Sequence, residues 1–238
     1  MSAVITQPAA LAANLKVTQE TAADAIKTLR ITEIFHSIQG ESSRVGLPSV
    51  FIRLTGCPLR CTWCDTAYAF HGGNSVSIES ILEQVAEFNC KTICVTGGEP
   101  LAQKNCLSLL TALCDAGYSV SLETSGALDI SDIDPRVSRI VDLKAPGSGE
   151  AEKNRWENLD HLTANDELKL VLASREDYEW AIAACHERRL FECCPVLFSP
   201  VQGQLDPGRL AQWIIDDKLP VRFQLQLHKV LWGNTPGR

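Results

Sequence analysis

The sequence predicts an α/β fold, a partial (β/α)6 TIM-like barrel with irregular additions at both ends. Three observations predict it. From Ile31 onward the spacing of apolar residues alternates between about two and about 3.6, the periods of strand and helix. The strand-like runs are short and separated by single amphipathic stretches. The segments that follow them are rich in glycine, proline, thiol and carboxylate: TGCPLRCTWCDT, TGGEP, ETSG, LKAP and SPVQ. In βα folds the carboxyl ends of the strands share one face, where sites are built, so these segments gather on one rim.

In order along the chain, residues 1–30 show no strand pattern and are read as an N-terminal extension. Within it, Thr21 to Leu29 could form only a short amphipathic helix. Residues 31–238 are read as one domain, a size that buries an ample core. Strand-like runs cover Ser49–Leu54, Thr92–Val95, Ser119–Leu122, Arg139–Leu143, Glu167–Leu172, Val196–Phe198 and Val221–Leu227. Between them, Ile78, Ile81, Leu82 and Val85 share a helical face. So do Leu107, Leu110 and Cys114, with Gly117 as a stop. Tyr178, Ala181, Ile182 and Cys185 repeat the spacing, as do Leu210, Trp213 and Ile214. No fixed-period repeat is visible, which argues against a solenoid.

Composition narrows the function. A net charge of −7 disfavours attraction to a polyanion, so no direct nucleic-acid partner is expected and a small molecule is favoured. No apolar run reaches the roughly 18 residues of a membrane span. The start MSAVITQPAALAANLKV lacks a basic stretch before its weak apolar run, and ten cysteines in a chain of this size do not need to form a disulfide scaffold. A cytoplasmic protein is expected. Cys90, Cys94, Cys106, Cys114, Cys185, Cys193 and Cys194 lie in apolar or helical surroundings and are read as core thiols.

Cys57, Cys61 and Cys64 are different, because they fall within eight residues on a loop leaving a strand. Such a loop can give thiolates to three irons of a 4Fe-4S cubane and leave the fourth iron open for another ligand. Two other readings use the same residues. Asp65 or His71 could complete a structural zinc site, although zinc sites usually pair two Cys-x-x-Cys elements and one is present. A saturated redox carrier would need a fourth cysteine, and the remaining thiols sit on core elements. Thr96-Gly97-Gly98-Glu99-Pro100 by itself could be a plain turn.

Taken together, the Cys-x-x-x-Cys-x-x-Cys loop after one strand and TGGEP after the next resemble the radical S-adenosylmethionine (SAM) superfamily. Ser37-Ile38-Gln39-Gly40-Glu41, Phe51-Ile52-Arg53-Leu54, Cys64-Asp65-Thr66 and Gln226-Leu227-His228-Lys229 narrow the resemblance to the 7-carboxy-7-deazaguanine synthase family, over about Ile31 to Trp232. The resemblance implies a barrel of the radical SAM type, a 4Fe-4S cluster on Cys57, Cys61 and Cys64, SAM as regenerated cofactor, and Mg2+. It implies conversion of 6-carboxy-5,6,7,8-tetrahydropterin to 7-carboxy-7-deazaguanine with loss of ammonia, toward queuosine. A homodimer and a flavodoxin- or ferredoxin-type electron donor are expected with it.

Carried over by position, Ile38, Gln39, Gly40, Glu41, Arg53, Thr96 and His228 would meet the pterin, and Thr66 would give magnesium an oxygen. SAM would meet Trp63, Cys64, Asp65, Gly98, Ser125, Asp142, Leu143, Lys144, Ser199, Pro200, Val201 and Gln202. Gly97 and Gly98 would let the backbone approach its methionine moiety, and Glu99 could accept from its ammonium. Asp142-Leu143-Lys144 stands where some members have Ser-Pro-Lys. Plainer roles exist for several of these residues: Arg53 paired with a buried Glu41, Thr66 as a cap, His228 packed beneath the site. A glycyl-radical activating enzyme is the rival within the superfamily, but it has no use for the Gln39, Arg53 and Thr66 constellation. A zinc or redox module is the rival outside it. The tail from Trp232 to Arg238 is assigned no chemistry.

Overall fold

The computed structural model describes residues 26–233 and 235–237. A nine-stranded sheet runs in the order β3-β1-β2-β4-β5-β6-β7-β8-β9. β1 (Thr28–Ile38) lies antiparallel to β2 (Pro48–Leu54) and to the edge strand β3 (Asn74–Ser77). From β2 onward the sheet is parallel through β4 (Thr92–Gly97), β5 (Ser119–Thr124), β6 (Ser138–Lys144), β7 (Glu167–Leu172), β8 (Val196–Pro200) and the two-residue β9 (Arg222–Phe223). The helices are α1 (Ile78–Glu87), α2 (Cys106–Asp115), α3 (Arg175–Glu187), α4 (Pro207–Asp216) and α5 (Leu227–Trp232). The sheet runs from β3 to β9 without closing, so the barrel is partial, and the crossovers after β5 and β6 carry turns and short 3-10 segments instead of α-helices.

Local chemistry starts three of these helices, α1, α3 and α4. Ser77 Oγ accepts from Ser80 N–H, Ser174 Oγ from Asp177 N–H and Asp206 Oδ1 from Arg209 N–H. Gly117 takes a left-handed φ of +78° just past α2. The apolar faces named above bury Ile81, Val85, Leu110, Tyr178, Ala181 and Leu210 against the sheet. Among the described residues no helix is long and apolar enough to cross a membrane.

Four readings are corrected. The first strand begins at Thr28 with Leu29 buried, inside the segment read as an extension; a register irregularity between Ile31 and Glu33 breaks the period of two and hides β1 in the sequence. Of the short helix read over Thr21–Leu29, residues 21–25 lie outside the described residues, and Thr28 and Leu29 are strand. The run Val221–Leu227 pairs only at Arg222 and Phe223. There the Gln224 amide turns back to bond Ser42, accepting from its N–H at 2.7 Å and donating to its carbonyl at 2.9 Å, and α5 follows. Lastly, Cys90 and Cys193 are only half-buried, whereas the other five core thiols are buried.

Candidate functional site

The parallel strands bring their carboxyl ends around one cavity of about 250 Å³. The loop after β2 supplies the thiols. Gly56 takes φ +98°, and its carbonyl accepts from Glu99 N–H at 2.8 Å, so the TGGEP turn lies directly on the cysteine loop. A Cβ at Gly98 would collide with the Gly56 carbonyl oxygen and stand 2.8 Å from Cys57 Cβ. Gly98 is therefore required by backbone packing, whatever it also does for a cofactor. On the other side Thr62 anchors the loop, its N–H donating to the Ser148 carbonyl and its hydroxyl to the Gly147 carbonyl.

Cys57, Cys61 and Cys64 are free thiols that all line the cavity. Burial pushes the Cys57 and Cys61 thiols up, so iron binding would have to displace their protons. Among the described residues no group of three or more His, Cys, Asp or Glu converges enough to hold a single metal ion. Asp65 is engaged by Lys229 at 2.6 Å, and His71 is exposed and off the cavity wall. The zinc reading therefore lacks its fourth ligand, while three separated thiols suit a group that offers three metal atoms. Asp142 Oδ1, on the same wall, is buried with no partner among the described residues, as fits a site for a polar cofactor.

A charged wall faces the thiols. Lys169 Nζ sits 2.5 Å from Glu41 Oε2 and 3.5 Å from Asp142 Oδ2, and Lys144 Nζ is 3.1 Å from that same Asp142 oxygen. Burial works against each charge, yet the opposite charges prevail: Glu41 is held below its ordinary pKa, and Lys144 and Lys169 above theirs. Glu123, at the end of β5, accepts from Thr96 Oγ1 at 3.1 Å and Gln39 Nε2 at 3.3 Å.

Arg53 lies across from Glu33 in the β1–β2 register and donates Nε–H to Glu33 Oε1 at 2.7 Å. The plainer alternative, a pair with Glu41, does not occur, because Glu41 is taken by Lys169 and Gln226. α5 and the tail roof the cavity. Leu227 N–H donates to the Gly40 carbonyl, and His228 packs on Gly40, where a Cβ would collide with the imidazole. Asp65 is exposed at the cavity mouth; partial desolvation works to raise its pKa, but the Lys229 ammonium pulls it down to about 2. Gly233, Thr235, Pro236 and Gly237 also line the cavity, so the tail left without chemistry is part of the wall.

The cavity thus brings together Ile38, Gln39, Gly40, Glu41, Arg53, Cys57, Cys61, Trp63, Cys64, Asp65, Thr66, Thr96, Gly98, Ser125, Asp142, Lys144, Val201 and His228. Thr66 makes no side-chain cap; its hydroxyl donates to Asp65 Oδ1. His228 lies on α5, not on a strand, and faces inward.

Glu99 does not face the cavity. It is fully buried, and its carboxylate accepts from Leu101 N–H, Thr124 Oγ1 and both donors of Ser125, which fixes the turn to β5. Leu143 belongs to the core, Ser199 and Pro200 are buried behind the wall, and Gln202 is exposed outside it. Glu123, Lys169 and Tyr68 line the cavity without a signal used above, although Glu123 stands in ETSG on the rim, and Gln226 and Lys229 line it from a motif quoted above with no role given to them.

Comparison with known proteins gives concordant results. A family model described as the radical SAM superfamily matches residues 51–195. A 7-carboxy-7-deazaguanine synthase of Chlorobaculum tepidum is 47% identical over 86% of this chain and 94% of its own. The Koribacter versatilis enzyme of that name is 41% identical over 86% and 97%. The crystal structure of QueE from Escherichia coli superposes with a TM-score of 0.70 at 23% identity, covering 84% of this chain and 95% of that one, which supports the fold.

Proposed function

Because the chain belongs to the radical SAM superfamily and, within it, to the 7-carboxy-7-deazaguanine synthase family, we propose that it contracts 6-carboxy-5,6,7,8-tetrahydropterin to 7-carboxy-7-deazaguanine with release of ammonia. The observation that carries this reading is that the three thiols share one cavity with Arg53, Glu123 and Lys169, a polar set suited to a carboxylated pterin. A 4Fe-4S cluster with SAM supplies, when bound, reversible hydrogen-atom abstraction.

The residues divide the remaining work. Cys57, Cys61 and Cys64 would hold the cluster, and the unpartnered Asp142 oxygen and Lys144 beside it offer an acceptor and a cation to the ribose and methionine ends of SAM. Arg53 would receive the pterin carboxylate, and Glu123, set by Thr96 and Gln39, would accept from ring N–H groups. α5 and the tail, which line the cavity, would shield the reacting carbon from water. Thr66 would give magnesium one oxygen among waters and substrate oxygens. The same reading includes a homodimer in the cytoplasm that draws electrons from a flavodoxin- or ferredoxin-type donor.

The test is turnover of the anaerobically reconstituted protein, with product and ammonia formed and SAM not consumed. SAM consumed stoichiometrically, or transfer of a radical to a polypeptide, would overturn it. Arg53→Ala is expected to weaken pterin binding about tenfold to a hundredfold and SAM binding much less, since a charge-assisted bidentate contact is lost. Equal weakening of both in calorimetry would make Arg53 structural. Thr66→Ala is expected to slow turnover partially, with recovery at high magnesium and an unchanged iron-sulfur spectrum, while Thr66→Ser behaves nearly as the parent. Turnover indifferent to magnesium chelation would remove the metal from the reading.

A further inference from the structure

Arg53 is held in one orientation by two residues that the motifs do not include. Glu33 Oε1 accepts from Arg53 Nε at 2.7 Å and from the Tyr68 hydroxyl at 2.8 Å, so one oxygen ties both side chains together. The guanidinium carbon stands 5.8 Å from the Phe35 ring centre and 5.9 Å from that of Tyr68. Phe35 is itself stacked on Phe51 at 5.0 Å. Burial disfavours the guanidinium charge, but the carboxylates of Glu33 and Glu123 near it hold it more firmly protonated than an ordinary arginine. Among the described residues Arg53 Nη1 and Nη2 have no hydrogen-bond partner, although Arg53 lines the cavity and its side chain is only 15% exposed.

We propose that Glu33 and Tyr68 are positioning residues that fix Arg53 by its Nε side, so that its free Nη1–Nη2 edge selects a planar carboxylate. This rests on the reading that Arg53 receives the pterin carboxylate. Glu33 offsets the charge of Arg53, so recognition depends on the fork geometry of the guanidinium and not on a net positive field. An arginine already seated against two aromatic faces and an acceptor loses little freedom when the ligand arrives. Without Glu33 the guanidinium would swing about its stem, and the second hydrogen bond to a carboxylate would be made only part of the time.

The experiment compares reconstituted Arg53→Ala, Glu33→Ala, Glu33→Gln, Glu33→Asp, Tyr68→Phe and the Arg53→Ala/Glu33→Ala double variant. KM and kcat are measured with 6-carboxytetrahydropterin, and the inhibition constant with tetrahydropterin lacking the carboxylate. Glu33→Ala and Glu33→Asp, which remove or withdraw the acceptor, should raise KM about tenfold with kcat nearly kept. Their affinity for SAM and for the carboxylate-free pterin should be unchanged. Glu33→Gln retains an acceptor oxygen and should stay within about threefold of the parent. Tyr68→Phe should shift KM the same way by less, and no shift would remove Tyr68 from the assignment. In the Arg53→Ala background, Glu33→Ala should add nothing, because its effect passes through Arg53. Full additivity, or unchanged KM in Glu33→Asp, would overturn the positioning role. If Arg53→Ala weakens both pterins equally, the carboxylate site itself is misplaced, a separate failure.

Discussion

Replacing Cys57, Cys61 or Cys64 singly by alanine is expected to reduce cluster-dependent SAM cleavage below detection and to lower the iron content of the reconstituted protein. Each thiol occupies its own place on the loop between Gly56 and Thr66, and among the described residues no fourth cysteine lines the cavity to take over a lost position. An iron without its thiolate is held only by cluster sulfide and is released or hydrolysed. Cys194→Ala and the half-buried Cys193→Ala serve as controls and should keep a cluster of normal iron content, since neither thiol lines the cavity. Full SAM cleavage by any of the three loop variants, or loss of iron in either control, would show the ligand set to be wrong.

The second large effect concerns stability. Lys169→Met keeps the stem of the side chain but leaves Glu41 and Asp142 facing each other, with Lys169 and Glu41 each only 9% exposed in the parent. Breaking a buried pair from one side strands a charge and is expected to cost about 3–5 kcal/mol, or roughly 6–20 °C in Tm for a chain of this length. The cost should depend on pH. In the parent, burial raises the Glu41 pKa but Lys169 brings it below its ordinary value, so Glu41 contributes stability above its unfolded pKa of about 4.3. Without Lys169, burial prevails and the folded pKa rises, so stability is lost as pH climbs through that window. The Tm deficit should therefore be larger at about pH 8 than at about pH 5.5. A deficit under about 2 °C, or one equal at both values, would mean that solvent in the cavity screens the pair.

The fold was legible wherever one period governed a segment. β4 and β8 carry short apolar runs and β5 to β7 set apolar residues among polar ones over six or seven residues, and α1 to α4 repeat a helical stripe against the sheet. β1 was missed because an irregularity between Ile31 and Glu33 moves its side chains off the alternation. α5 leaves no signal in the sequence beyond Leu227, which falls at the end of a strand-like run, because six residues are too few to show a helical stripe, and Leu227, Val230 and Leu231 are exposed or half-exposed, so no buried face marks them.

For the site, the sequence by itself determined the cysteine loop, the glycine turn and the rim on which they meet, because these lie within short segments whose chemistry is local. Only the tertiary structure decided which carboxylates face the cavity. Glu99 follows β4 and Glu123 stands at the end of β5, both on the rim, yet Glu99 is consumed by four donors from Thr124, Ser125 and its own turn, and Glu123 is presented to the cavity by Thr96 and Gln39. Likewise the partner of Arg53 is Glu33 and that of Glu41 is Lys169, pairs separated by 20 and 128 residues. Such choices depend on which donors the packed strands bring within hydrogen-bond reach, a distance that residue type and spacing along the chain do not encode.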